Sequence, residues 1–500
     1  MCRSLIIVWV GVYALFWSLA TIFLDPTVPY DAVEALNWAQ NAEWGSPKNP
    51  WLIGLVWRPA LWFSGTPLSA YWYITHFVCI AVGMAGSWYL AKYLSGSEPL
   101  AWLALLTLNL SGIINFDIIS YNDNYLLVML WPWMLLFFYH AITRHAGWWL
   151  AFAITAGLAA MAKYSTLAFV GAVFIATIIV PKIRVCYRQP LFYLALIIGV
   201  AILAPNLLWL WEHNFVAFHW VDSQIKRQFN PGLFIKLLSI YYPLLFLWWR
   251  LRSSHIQLGW PTDTQKKTLL LVAVMPLAPI CLWFLFHHGG RLTEWLQPFF
   301  ILAPALLVGC VSTHDAQPPR SAGIALIGIA ALVLLGYITI MATNVGNAGQ
   351  KMSGIIPFSK KMDQLWYERY GTPLRLVGGE HLADWILFYA PSRPKTITPW
   401  SNSTQPNIYN VDISYAEIMS SGALLVGRSD KTCTDASFDK VLTQWPQLKL
   451  DTISLITFQQ DKQHKGYSLC IGFVKPELYM QVHEDVQVNL RLNRVSASEV

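Results

Sequence analysis

The chain carries few charges for its length. Only 12% of its 500 residues are Asp, Glu, Lys or Arg, whereas a soluble domain carries about 25%. Hydrophobic residues make up 56% of the chain and aromatic residues 15%, with 26 tryptophans. Tryptophan and tyrosine are enriched where helices cross the membrane surface. This composition excludes a globule with one large soluble core and predicts a polytopic α-helical membrane protein.

Two further features are scarce. The seven cysteines lack the spacing of metal ligands, and Cys2, Cys79, Cys186, Cys281 and Cys310 are interpreted as small apolar residues. A Cys433–Cys470 disulfide is a hypothesis, because the sequence cannot supply the distance between the two residues. The C-terminal part contains no glycine-rich phosphate loop. The net charge of +7 resides largely in short loops, where it sets topology, and gives no reason to expect a nucleic-acid partner.

Apolar stretches of about 20 residues mark the crossings of a bilayer. They predict about eleven spans, and the short fifth stretch has an uncertain border with the sixth at Lys163. The stretches are 5–24, 70–91, 99–117, 122–141, 147–162, 164–181, 190–211, 233–250, 268–287, 295–312 and 322–343. The first is interpreted as a retained span, since no clear small-residue cleavage site precedes Asp25.

Lysine and arginine predict the orientation of these spans. If the N-terminus is inside, the loops on that side hold most of the basic residues, as the positive-inside rule requires. The segment 25–69, the loops near 118, 163, 212–232 and 288–294, and the tail from about 344 then face the outer side. The inner basic residues are Lys92, Arg144, Lys182, Arg184, Arg188, Arg250, Arg252, Lys266, Lys267 and Arg320.

The tail after the last span has a different pattern. Long apolar runs stop, and short alternating segments predict strands at 374–377, 423–426, 452–459 and 467–474, with a helix at 381–390. Helices between strands favour a small βαβ-type sheet. We therefore expect a membrane domain at 1–345 and a soluble α/β domain at 346–500, whose last residues, 475–500, are polar.

Polar residues gather on the predicted outer side. In the first outer loop, 25–69, Asp31 and Glu34 are three apart and would share one face of a helix. Ionisable groups held at a membrane are costly and usually functional. Each further motif alone is a weak signal, but all map to one side. They are Lys48-Asn49-Pro50, Tyr121-Asn122-Asp123-Asn124, Ala162-Lys163-Tyr164-Ser165, Glu212-His213, and Arg291 to Pro298 with Glu294 and Gln297.

These motifs resemble one family. The Tyr-Asp-x-Val-Glu-Ala, Lys-x-Pro, Tyr-Asn-x-Asn, Ala-Lys-Tyr-Ser and Trp-Leu-Gln-Pro segments are similar to the bacterial branch of the dolichyl-phosphate-mannose-protein mannosyltransferase superfamily. That branch includes lipid A aminoarabinose transferases and lipopolysaccharide-core galacturonosyltransferases. The resemblance covers roughly residues 5–345. In the tail, the segment from Phe388 to Pro394 also resembles members of this branch.

The resemblance implies a GT-C fold, a helix bundle whose first outer loop holds the catalytic aspartate. Asp31 stands at that position with Glu34 beside it, and Lys48 matches a loop lysine near the substrate phosphate. The family more often has His or Pro where this chain has Asn49. Many members have an Asp where Asn124 stands here, next to Asp123, which argues against a second acidic catalytic residue and a metal role. Lys163 matches a lysine directed at the donor phosphate.

The implied reaction is sugar transfer from a polyprenyl-phosphate-linked donor to an acceptor on the periplasmic face of the bacterial inner membrane. Candidate charges for stabilising the departing phosphate are Lys48, Arg58, Lys163 and Arg291, and Asp31 would accept the acceptor's proton. No metal site and no cofactor are expected, although a divalent cation is possible. The remaining candidate substrate-binding residues are Asn49, Asn122, Asp123, Asn124, Tyr164, Glu212, His213, Glu294 and Gln297.

Structural roles remain open for most of these residues. Asp31 can be a charge favoured by a helix N-terminus, and Glu34 can be an ordinary solvated residue. Lysines and arginines at span borders can extend to the headgroups, as Lys48, Arg58 and Lys163 would. Asn122 and Asn124 can cap a helix. Glu212 and His213 can simply end a span, and Arg291 and Glu294 can pair with each other.

Other functions also remain open. The acceptor can be lipid A, the lipopolysaccharide core, another envelope glycan or a protein, and the sequence does not reveal the sugar. A lipid-linked sugar transporter or flippase is the alternative of a different class. It predicts internal repeats and charges near the bilayer midplane, and neither is evident. An outer-face scaffold would need a polar constellation in the tail, which the sequence lacks.

Overall fold

The protein is described by a computed structural model. The described residues are 2–25, 27–121, 123–289, 295–312, 318, 320–345, 352–398, 413–429, 432–461 and 464–477. They form two compact units. Unit 1 comprises Met1–Asp25, Trp44–Leu55 and Ala70–Thr343, and unit 2 comprises Pro26–Glu43, Val56–Ser69 and Asn344–Val500. The predicted outer loop is therefore divided, because two of its segments belong with the C-terminal residues.

Helices dominate the described part of the chain up to residue 342. In chain order they are α1 (Cys2–Leu24), α2 (Tyr30–Asn41), α3 (Leu52–Trp57), α4 (Thr66–Ser95), α5 (Glu98–Thr107), α6 (Asn124–Thr143), α7 (Trp148–Ala162), α8 (Thr166–Ile179), α9 (Pro181–Arg184), α10 (Pro190–Glu212), α11 (Val216–Gln224), α12 (Gly232–Ser253), α13 (Thr264–Val274), α14 (Leu277–Phe286), α15 (Ala303–Gly309) and α16 (Arg320–Ala342). Two short strands, β1 (Ile225–Arg227) and β2 (His287–Gly289), pair antiparallel.

Within the described residues, seven helical stretches are long and apolar enough to cross a membrane, and nine if each of two bent pairs counts as one span. The prediction of eleven spans is not confirmed. The fifth predicted stretch forms the 15-residue helix α7, which is shorter than the roughly 20 residues that a crossing needs. The tenth, 295–312, contains a 3₁₀ turn at Gln297–Ile301 and the seven-residue α15.

Local sequence explains where several helices begin and bend. Ser97 caps α5, since its side chain accepts a hydrogen bond from the Leu100 N–H, and a proline stands in the first turn. The chain turns by 94° between α8 and the segment that starts at Pro181, because proline removes a backbone donor and cannot continue a helix. α7 packs against both α6 and α10, so the polar residues at its C-terminal end are held among neighbouring helices.

Unit 2 contains a five-stranded sheet and helices. Its later elements are α17 (Ile355–Tyr370), β3 (Leu376–Gly379), α18 (His381–Tyr389), β4 (Lys395–Thr396), α19 (Tyr415–Ser421), β5 (Ala423–Arg428), α20 (Asp439–Leu442), β6 (Thr452–Phe458) and β7 (Tyr467–Val474). The four predicted strands and the predicted helix at 381–390 appear close to their predicted positions. The strand order is β4-β3-β5-β7-β6.

The sheet is mixed rather than uniformly of the βαβ type. β3 pairs parallel with β4 and β5, whereas β7 pairs antiparallel with both β5 and β6. The eight residues between β6 and β7 are too few for a parallel crossover, which needs a dozen or more, and suffice for an antiparallel connection. One face of the sheet packs an apolar core that includes Leu425, Phe438 and Val441.

A disulfide joins Cys433 to Cys470, as hypothesised from the sequence. It fastens the segment before α20 to β7, within the same apolar core as Leu425. The bridge closes a loop with a sequence separation of 37 residues.

Removing this bridge is expected to destabilise unit 2. In the chain-entropy description, a loop of this length contributes on the order of 4 kcal/mol by restricting the unfolded chain. The Cys433→Ser/Cys470→Ser double variant should therefore show a lower melting temperature in detergent, and reductant should lower that of the wild type but not that of the variant. Equal melting curves for wild type with and without reductant would contradict the prediction.

Candidate functional site

Unit 1 brings a lysine together with residues from two other chain segments. Lys163 follows the last residue of α7, where the backbone becomes extended before α8 begins. Its ammonium lies 2.7 Å from the Asp123 carboxylate and donates to the Asn124 side-chain oxygen at 3.2 Å. These two residues stand at the start of α6. The cluster is enclosed, since the side chains of Lys163 and Asp123 are only 12% and 9% exposed.

The third segment is the one containing Trp295 and Gln297. The Asn124 amide donates to the side-chain oxygen of Gln297 at 3.2 Å, and Gln297 is buried. The Lys163 ammonium lies 5.5 Å from the centre of the Trp295 ring, within range of a cation–π interaction. We name these residues (Asp123, Asn124, Lys163, Trp295 and Gln297) the lysine cluster.

The lysine cluster retains capacity for an anion. A lysine ammonium has three N–H donors, and the described residues take two of them, at Asp123 and Asn124. A third donor on an enclosed cation is suited to an anionic oxygen, because hydrogen bonds between ionised groups are shorter and stronger than neutral ones. Among the described residues, no group of three or more His, Cys, Asp or Glu stands in a metal-binding arrangement.

A second polar group of unit 1 holds the segment around Lys48. The Asn206 amide donates to the Trp44 carbonyl at 2.8 Å, and the Tyr164 hydroxyl donates to the Asn206 side-chain oxygen at 3.0 Å. Gly45 is required here, because a Cβ on it would lie 2.2 Å from the Trp209 ring. Asn206 was missed as a candidate. A polar residue inside the apolar run 190–211 was the available signal.

The turn at 46–49 fixes the backbone of the predicted Lys-x-Pro motif. The Asn49 N–H donates to the Ser46 hydroxyl at 2.9 Å, and that hydroxyl donates to the Asn49 carbonyl at 2.8 Å. Asn49 is buried. The Lys48 ammonium lies 5.3 Å from the centre of the Trp220 ring, so its charge is held over an aromatic face.

Glu212 and His213 are placed at the end of α10. The His213 Nδ1–H donates to the Trp209 carbonyl of its own helix at 2.8 Å, and the His213 ring stacks on the Trp209 ring. Glu212 is exposed. These contacts fit the structural interpretation, in which the two residues end the helix. Three other candidates, Asn122, Arg291 and Glu294, lie outside the described residues.

In unit 2, Asp31 and Glu34 lie on α2, as the spacing predicted. Asp31 occupies the first turn, where the helix dipole favours a negative charge, and it is half-buried. Glu34 is only 3% exposed and lines a small cavity with Tyr30, Asn37 and Asp384. The Arg58 guanidinium donates to the Ala39 carbonyl at 3.3 Å, near the C-terminal end of the same helix.

A buried carboxylate in unit 2 was missed altogether. Asp384 on α18 accepts from the Tyr30 hydroxyl at 2.7 Å and from the Thr396 hydroxyl at 2.8 Å. Burial raises the pKa of Asp384, although both hydrogen bonds oppose that shift. Burial and the neighbouring carboxylates raise the pKa of Tyr30 well above its usual value, so Tyr30 is the proton donor of the pair. No local pattern connects residues 354 positions apart.

Comparisons with known proteins show what the chain is similar to. The family model of dolichyl-phosphate-mannose-protein mannosyltransferases matches residues 47–209. Lipid A galacturonosyltransferase RgtD of Rhizobium johnstonii is 24% identical over 274 residues, which are 52% of this chain and 56% of the relative. The chain thus aligns with little more than half the length of that relative.

A solved structure shares the fold. ArnT from Cupriavidus metallidurans, crystallised bound to undecaprenyl phosphate, superimposes with a TM-score of 0.59 at 15% identity, over 95% of this chain and 98% of ArnT. Because the identity is so low, this likeness concerns the fold alone. The chain is therefore similar to dolichyl-phosphate-mannose-protein mannosyltransferases over residues 47–209, and it shares the fold of ArnT.

Proposed function

We propose that this chain is a glycosyltransferase of the bacterial inner membrane. It moves a sugar from a polyprenyl-phosphate donor to lipid A or to the lipopolysaccharide core at the periplasmic face. The observation that carries the proposal is the lysine cluster, an enclosed cation whose contacts with the described residues take two of its three donors. The similarity to a lipid A galacturonosyltransferase and to a structure holding undecaprenyl phosphate supports the classes of acceptor and donor.

The lysine cluster would act on the leaving group. In the reaction, an acceptor oxygen attacks the anomeric carbon, the bond from that carbon to the phosphate oxygen breaks, and the polyprenyl phosphate leaves with an added negative charge. Lys163, held by Asp123 and Asn124, stabilises that developing charge without reorganisation. Lys48, Arg58 and Arg291 are the further candidate cations, and Tyr164, Asn49 and Gln297 are candidate contacts for the substrates.

Asp31 would act on the acceptor. A hydroxyl acceptor loses its proton as it attacks, and the Asp31 carboxylate takes that proton, in the role of a general base. Glu34 supports it through its position on the same helix. If the acceptor is a phosphate of lipid A, it is already ionised, and Asp31 then orients groups instead of accepting a proton.

The proposed orientation puts residues 25–69 and 346–500 in the periplasm, with 1–345 forming the membrane domain. The basic inner loops and the Cys433–Cys470 disulfide support it. A reporter that is active only outside the cytoplasm should be active when fused after residue 350 and inactive when fused at Arg188. The reverse pattern would contradict the proposal, because Asp31 would then face the cytoplasm.

Mass spectrometry of the envelope tests the function itself. Lipid A and lipopolysaccharide from a deletion strain should lack one sugar that the complemented strain contains, and the mass difference identifies that sugar. Purified protein with a matching polyprenyl-phosphate donor should add that sugar to the lipid A or lipopolysaccharide of the deletion strain. Unchanged lipid A and core in the deletion strain, with a change confined to glycoproteins or another glycan, would overturn the proposed acceptor class.

A further inference from the structure

Three residues of the C-terminal segment hold the chain around α2. Within unit 2, Asp384 accepts the Tyr30 hydroxyl at 2.7 Å. The Tyr389 hydroxyl accepts from the Val28 N–H at 3.0 Å. The Arg393 guanidinium donates to the Leu61 carbonyl at 2.5 Å. These contacts join residues that are more than 330 positions apart in the sequence.

The contacts surround the N-terminal turn of α2. Val28 and Tyr30 lie on either side of Pro29, the residue that precedes the helix. Asp31 directly follows Tyr30, so its main chain is fixed immediately before the carboxylate. The Tyr30 ring also lies against the His381 ring, with 3.9 Å between their centres. No side-chain hydrogen bond caps the N-terminus of α2, so the contacts with the C-terminal segment hold the start of the helix instead.

The opposite end of α2 is held as well. The Gln40 amide donates to the Arg393 carbonyl at 3.4 Å, and Arg58 donates to the Ala39 carbonyl at 3.3 Å. Arg393 also binds the segment that follows Arg58, through the carbonyls of Ala60 and Leu61. Arg393 therefore connects the two earlier segments of unit 2, residues 26–43 and 56–69. It does so with its own carbonyl on one side and its guanidinium on the other.

These partners are buried, which makes their geometry restrictive. Asp384 is 6% exposed and Tyr389 is 7% exposed, and Thr396 fixes the second oxygen of Asp384. A buried polar group that loses its partner keeps the full desolvation penalty, so alternative positions of Tyr30 are disfavoured. A displacement of about 1 Å in a reacting group can lower a rate by about 10²-fold.

We propose that Asp384, Tyr389 and Arg393 are positioning residues that hold α2, and with it the Asp31 carboxylate, in its working place. The effect of this positioning on catalysis rests on the function proposed above. The proposal gives the Phe388–Pro394 segment and the C-terminal unit the task of holding α2. These residues need not touch the substrate, since they act through Tyr30, Val28 and the backbone after Arg58.

Hydrogen exchange tests the positioning without any substrate. In the full-length protein, Asp384→Ala should raise the exchange of amides 30–41, and Tyr30→Phe, a smaller change, should do so more weakly. Asp384→Asn keeps the shape and should restore most protection. Asp451→Ala is the matched control, because Asp451 also accepts a tyrosine hydroxyl in unit 2, that of Tyr370 at 3.1 Å, and does so away from α2. It should leave amides 30–41 unchanged.

Kinetics tests the catalytic part. Asp384→Ala should lower kcat about 10²-fold, with binding of undecaprenyl phosphate within about 2-fold of wild type. A merely structural loss would instead lower the folded fraction and both quantities together. Unchanged exchange at 30–41, or raised exchange with an unchanged kcat, overturns the inference. A wild type that transfers no sugar overturns the proposed function alone, and exchange still decides whether these residues hold α2.

Discussion

Replacing Lys163 by methionine is expected to lower sugar transfer by about 10²–10³-fold, the usual cost of losing one preorganised charge at a developing anion. Methionine is unbranched like lysine and only one heavy atom shorter, and it lacks the charge and the N–H donors of lysine. Turnover should fall more than donor binding, because the negative charge on the departing phosphate is greatest in the transition state. Initial rates with a polyprenyl-phosphate donor, beside direct binding of undecaprenyl phosphate, measure both.

The single Lys163→Met variant leaves the enclosed Asp123 carboxylate without its cation. Removing one partner of a buried pair can cost about 3–5 kcal/mol of stability, so loss of activity alone is ambiguous. The double variant Lys163→Met/Asp123→Asn removes that unpaired charge. It should recover the melting temperature of the wild type while transfer stays low. Recovery of transfer together with stability would show that Lys163 serves only to neutralise Asp123.

Lys92 is the matched control for this experiment. Like Lys163, it pairs with a carboxylate, that of Glu98 at 3.2 Å, and it lies 4.9 Å from the centre of a tryptophan ring, that of Trp88. It was assigned from the sequence to an inner loop, away from the proposed site. Lys92→Met should therefore transfer sugar within about 2-fold of the wild-type rate, as surface ion pairs contribute little. Equal losses in both variants would point to general damage.

The sequence identified the members of the lysine cluster better than their contacts. Lys163 and Asn124 stood out because polar residues at the ends of apolar runs are unusual, and the family resemblance supplied a role. That Lys163 also pairs with Asp123 depends on how α6 and the end of α7 pack, which periodicity does not specify. Trp295 was quoted only as part of a motif, since an aromatic residue near an interface is ordinary.

In unit 2, less of the structure could be predicted from local sequence patterns. Alternation predicted its strands, because each strand buries one face or both, but the pairing of β7 between β5 and β6 depends on connection lengths and core packing. No local sequence pattern indicated that residues 26–43 belong to the same unit as the C-terminal residues. Asp384 looked like an ordinary helix residue, and its importance follows only from its burial beside Tyr30.

Asp31→Asn is expected to abolish nearly all transfer from a polyprenyl-phosphate donor to a hydroxyl acceptor, while donor binding is largely kept. General-base catalysis contributes about 10²–10⁴-fold, and asparagine retains the size of the side chain but cannot accept the proton. Asp31 is half-buried in the first turn of α2, so it combines access to solvent with a fixed main chain. Transfer to a phosphate acceptor, which is already ionised, should fall less in the same variant.

Glu34→Gln should reduce transfer less, because Glu34 is only 3% exposed and lines a small cavity of its own unit. Glu43→Gln is the matched control, since it neutralises a carboxylate two residues after the end of α2 and should leave the rate near that of wild type. Measuring rates and undecaprenyl-phosphate binding for all three variants orders the carboxylates by role. Full activity in Asp31→Asn with a hydroxyl acceptor, or a greater loss in Glu34→Gln, would show that a group other than Asp31 is the general base.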